Sequence, residues 1–101
     1  MSIDSILYVM MIERGKNYNK INREMVVKHV DHIKNLDKKK KLVLCGPLKG
    51  YPGVAGIVIF KAENDKEAKE FCKTEPFVAE GYATYKLSTL QVGNKENNYL
   101  L

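Results

Sequence analysis

Nine residues near the start, Ser5 to Glu13 (SILYVMMIE), narrow the possible folds more than any other stretch. Ile6, Tyr8, Met10 and Ile12 fall on one side of an extended strand, and Leu7, Val9 and Met11 on the other. A strand that is apolar on both alternations is one that must be covered on both faces. The rest of a 101-residue chain has to provide that cover, and a chain of this length builds one domain around one modest core.

The remaining elements follow from periodicity. Asn22 is a plausible N-cap, and Arg23 to about Lys40 has helical period, with Met25, Val26, His29, Ile33 and Leu36 on one face. Lys28, Asp31, Lys34, Asn35 and Lys38 lie largely away from it. Leu42 to Cys45 reads as a short strand closed by a Gly46-Pro47 turn, followed by the loop LKGYPGVAG. Gly56 to Ala62 is another strand. Asn64 and Glu67 form a capping-box pattern ahead of a helix whose face is Ala68, Phe71 and Cys72. Glu75-Pro76 breaks that helix. Tyr82 to Val92 is the last strand, and the polar segment 94–101 is a tail beyond a domain spanning 1–93.

The order βαββαβ predicts an α+β, ferredoxin-like fold: a four-stranded antiparallel sheet with two helices on one face. Two helices cover only one side of such a sheet, so the doubly apolar strands need a second partner. A homodimer packed through the open sheet face is the economical answer.

Composition excludes several classes. No apolar run approaches the roughly 20 residues that span a bilayer, and the N-terminus reads as a strand rather than a signal peptide. Cys45 and Cys72 are then two thiols of a cytoplasmic protein, with Cys45 expected to be buried at a strand end. The net charge of +5 owes much to one run, Lys38 to Lys41. At a helix end such lysines oppose the dipole and project into water, so no nucleic-acid partner is expected. The glycines of GPLKGYPGVAG match neither a phosphate-binding nor a dinucleotide fingerprint, and no cofactor is implied. His29 and His32 stand three residues apart, but the acids Asp31 and Asp37 point elsewhere and no C-x-x-C is present, so no metal site is expected.

One stretch resists a purely structural reading. In FCKTEPFVAEGYATY, Glu75 sits at a forced break beside the apolar Phe77 and Val78. Three features line up with it: His29 on the apolar helix face, LVLCGPLKG with its Gly46-Pro47, and TEPFVAEG. In this order and spacing they resemble the YciI-like (YCII-related) family, over roughly Ser5 to Val92. That resemblance implies a dimeric α/β barrel of ferredoxin-like protomers. It also implies an active-site histidine–aspartate pair, whose histidine falls on His29 and whose aspartate is replaced here by Glu75. The arginine that many members carry three residues before the histidine is Val26. A related dehydrochlorinase acts on a chlorinated aromatic catabolite, so the resemblance implies lyase, dehalogenase or isomerase chemistry.

A histidine–carboxylate pair suits that chemistry. Imidazole titrates near about 6.5, and a carboxylate on one nitrogen fixes the tautomer while the other accepts a proton. His29 and Glu75 are therefore the candidate catalytic residues. Gly46, Pro47, Lys49 and Tyr51 from the loop, with Tyr8 and Phe77, are the candidate substrate-binding residues, and Lys49 is placed to attract an anion. The competing reading is a non-catalytic ligand-binding or stress-associated module of the same fold.

Overall fold

The protein is seen in a computed structural model that describes residues 6–101. Ser5, the expected first strand residue, lies outside the described residues, as does the rest of 1–5. The chain runs β1 (Ile6–Arg14), α1 (Arg23–Lys38), β2 (Leu42–Pro47), β3 (Val54–Phe60), α2 (Asp65–Thr74), α3 (Pro76–Ala79) and β4 (Ala83–Gln91). Short 3-10 turns occupy Tyr18–Lys20 and Lys95–Leu100. The four strands form one sheet in the order β2-β3-β1-β4, and every neighbouring pair is antiparallel. This is the ferredoxin-like arrangement predicted from the element order.

Alternation along the strands decides where the core sits. Tyr8, Met10 and Ile12 of β1 and Val58 and Phe60 of β3 pack with Met25 and Leu36 of α1, Ala68 and Cys72 of α2, and Phe77 of α3. All the helices therefore lie over the same sheet face. Met10 is 0% exposed and Phe60 1%, and burying each such side chain contributes about 1.5–3 kcal/mol. The opposite alternation, Val9, Met11, Ile57 and Ile59, is only half-buried and takes no part in that core.

Several boundaries differ from the sequence reading. Gly46 and Pro47 do not turn the chain. They extend β2, opposite Ile57 and Gly56 respectively. The reason is that β2 is an edge strand. Leu48 N–H donates to Ala55 O at 3.0 Å, so by alternation the Pro47 nitrogen faces outward, where its missing N–H costs no ladder bond. Gly56 is required there for another reason: a Cβ at that position would lie 2.7 Å from Gly46 O.

On α1 the buried stripe passes through Met25 and Leu36, while Val26 is 43% exposed. Val26 was expected on that face, but at about 100° per residue it sits on the shoulder beside Met25. Asn22 caps α1 as expected, its side chain accepting the Met25 N–H. The far end of α1 is closed by Lys40, which takes a left-handed φ of 61°. Its N–H and that of Lys41 donate to Asp37 O and Leu36 O, a Schellman pattern in which glycine is the usual residue.

Candidate active site

The segment that resisted a structural reading, from Glu75 to Tyr82, is a miniature helix with both ends specified. Glu75 is the N-cap of α3, and its Oε2 accepts the Val78 N–H at 3.1 Å. Pro76 occupies the first helical position, where its fixed φ helps and its absent N–H is not missed. Gly81 ends the turn at φ +83°, with Gly81 N–H donating to Val78 O and Tyr82 N–H to Phe77 O. The sequence reading anticipated the break but not the four-residue helix within it.

The cap explains the burial of its carboxylate. Glu75 is 0% exposed, the only charged residue among the described ones in the buried set. A buried carboxylate is tolerated only when it is paired and hydrogen-bonded. Its second oxygen, Oε1, meets His29 Nδ1 at 2.5 Å. An ionised carboxylate only accepts, so opposite it Nδ1 is the donor, and in the neutral ring Nε2 is then the nitrogen with the lone pair. Among the described residues Nε2 has no protein partner, and the His29 side chain keeps 23% of its surface exposed. Phe77, carried by α3, stacks on the imidazole with centroids 4.4 Å apart and planes within 6°. Tyr18 meets the Phe77 ring edge-on at 6.2 Å. One short helix thus supplies both the acid that orients the ring and the aromatic face that supports it.

His29 opens onto a cavity of about 380 Å³ between α1 and the β2–β3 edge of the sheet. Its walls are largely apolar, with Ile12, Val30, Ile33, Val58 and Phe77 among them. Gly46, Pro47 and Gly56 form the strand side, and the two glycines leave bare backbone there. Of the residues chosen from sequence, His29, Gly46, Pro47 and Phe77 line this space, and Glu75 stands directly behind His29. Tyr8, Lys49 and Tyr51 do not line it. Tyr8 lies on the sheet against Phe60, and its hydroxyl donates to Asp65 at 2.8 Å. That bond, with burial second, holds the hydroxyl above the usual tyrosine range. Tyr51 is 59% exposed on the loop.

Cys45 also lines the cavity and is exposed, contrary to expectation. It pairs with Val58 and so faces the helices, but at the sheet edge nothing covers it. Cys72 is the buried thiol; burial first, and the nearby Glu75 charge second, push it up to about 12. Sequence reasoning missed Tyr18, Val30 and Lys34. Tyr18 was hidden in a polar loop, where a lone aromatic was the available signal. Lys34 was assigned to solvent because helical period says nothing about the edge strand beside it.

The profile of the YCII-related domain matches residues 6–91. The chain belongs to the YCII-related family. Among solved structures, one similar to this chain is the 5-chloro-2-hydroxyhydroquinone dehydrochlorinase from Burkholderia phenoliruptrix AC1100, in complex with 2,5-dihydroxybenzoquinone. The two share 19% identity with a TM-score of 0.69, covering 91% of this chain and 99% of that one. At that identity the likeness shows the shared fold of this YCII-related chain. None of the curated proteins matches it. No helix among the described residues is long and apolar enough to cross a membrane.

Proposed function

We propose that this protein is a small-molecule enzyme of lyase, dehalogenase or isomerase type, with His29 as general base and Glu75 as the residue that orients it. The observation that carries the reading is the 2.5 Å contact between His29 Nδ1 and a fully buried Glu75, with Nε2 left unpartnered at a cavity wall. His29 Nε2 takes a proton from a C–H or O–H of a small hydroxylated, aromatic-like metabolite. The Glu75 carboxylate stabilises the imidazolium that forms. In an isomerisation the same nitrogen returns the proton to another atom. In a dehydrohalogenation the electron pair released by proton removal expels halide, and no oxidant is needed. The dehydrochlorinase activity of the similar structure, and the quinone it holds, support this choice of reaction class.

The test is a turnover screen of hydroxylated and halogenated phenols and acids, read by halide release and ultraviolet absorbance. His29→Ala and Glu75→Gln are expected to lower turnover by about 10²–10⁴-fold, the range of general acid–base catalysis. Turnover untouched by both removes the dyad. Binding without turnover of any compound favours the ligand-binding module instead.

The same reading includes a second copy of the chain. Val9, Met11, Ile57 and Ile59 are half-buried, and Leu44 and Leu90 beside them are 53% and 45% exposed. A self-complementary apolar sheet face is suited to a two-fold homodimer. Sedimentation should give a dimer, and Ile59→Lys a monomer. A cytoplasmic setting, which keeps thiols reduced, suits the two free cysteines.

A further inference from the structure

The charge inventory of the cavity is one-sided. Among the residues that line it, Lys34 is the only side chain with a fixed charge, and no carboxylate is present. The Glu75 charge is sealed behind His29, with no exposure of its own. Lys34 makes no ion pair among the described residues, although Asp31 and Asp37 lie within one turn of it on α1. An unneutralised ammonium at the mouth of an apolar cavity is a counter-charge waiting for a ligand.

His29 and Lys34 are five residues apart on one helix, about 7.5 Å along the axis and about 140° around it, and both line the cavity, so they face it from different places on its wall. The neighbouring walls favour a flat body, with the aromatic rings of Phe77 and Tyr18 on one side and the bare backbone of Gly46 and Gly56 on another.

We infer that the cavity takes a flat organic acid, with its reacting hydroxyl or C–H at His29 and its anionic group at Lys34. Lys34 is thus a specificity-determining residue, taking the part that the sequence had given to Lys49. The inference rests on the cavity beside His29 being the ligand site, but it does not require turnover there.

The probes are 4-hydroxybenzoate and its neutral isostere 4-hydroxybenzamide, titrated into ¹⁵N-labelled protein at neutral pH and read at the Gly46 and Gly56 amides. The acid is expected to bind about fivefold more tightly than the amide, the scale of a solvent-exposed ion pair. Lys34→Met should bring the ratio to about one without weakening the amide, and Lys34→Arg should keep the preference. Added salt should shrink it in the wild type alone. A ratio unchanged by Lys34→Met overturns the inference. So does the absence of shifts at these amides with either compound up to about 10 mM, well above the range of weak specific binding. If the charge preference holds while His29→Ala leaves turnover intact, the general-base reading fails and the role of Lys34 stands.

Discussion

His29 and His32 stand three residues apart on α1, and each stacks on a phenylalanine with ring centroids 4.4 Å apart, yet they are held for different purposes. His29 meets the carboxylate of Glu75, and His32 Nε2 meets the main-chain carbonyl of Phe71 at 3.0 Å. A carbonyl accepts a hydrogen bond from the ring N–H and locks the ring in place. A carboxylate does the same and also stabilises the cation that forms when the other nitrogen is protonated. His32 ties α1 to α2, whereas His29 is tied to a group whose charge matters. The stacking geometry does not tell them apart; the identity of the partner does.

Removing each histidine should expose that difference. His29→Leu leaves Glu75 buried with only the Val78 N–H and is expected to cost about 3 kcal/mol or more. His32→Leu removes one neutral hydrogen bond and should cost about 1 kcal/mol. Urea unfolding of the two variants measures both, and equal losses would erase the distinction. A smaller effect is expected at the helix ends that support each ring. Gly81→Ala forces a side chain into the left-handed conformation that closes α3 and should lose about 1 kcal/mol. Because α3 carries Phe77, the same change should shift the His29 ring resonances and leave those of His32 in place. Lys40→Gly relieves the equivalent position after α1 and should gain somewhat less than about 1 kcal/mol, with neither ring disturbed.

The thiols sharpen the same contrast between the open and the sealed side of the site. In the folded protein Cys45 should be alkylated and Cys72 spared, with both reacting in urea, as mass spectrometry would show. The folded pKa of Cys72 is raised from 9.0 to about 12, so the folded state favours the neutral thiol. Its contribution to stability is therefore complete below about pH 9 and lost as pH rises towards about 12. Cys72→Ala should flatten that part of the alkaline stability curve, and a curve unchanged by the substitution would count against the burial argument.

Much of the fold was legible because local and global signals agree. The two-sided pattern of β1 and the helical period of α1 and α2 determine the element order, and that order leaves few topologies. The pairing of His29 with Glu75 was legible only through the resemblance, since 46 residues separate them and no periodicity links them. The role of Glu75 as a cap was not foreseen. Its partner, the Val78 N–H, belongs to a helix too short for periodicity to reveal. Tyr8, Lys49 and Tyr51 do not line the cavity, for a common reason: a strand face and a loop are visible in sequence, but the end of the sheet at which a cavity opens depends on how the helices cross it. Cys45 shows the same limit, since an inward-facing residue on an edge strand remains open to solvent.

Pro47 carries a consequence for how copies of this protein can meet. With no amide proton at Pro47, the row of donors on the outer rim of β2 is interrupted at its end, which weakens pairing with a strand from another molecule. Growth of the sheet sideways into a longer ribbon is disfavoured at that border.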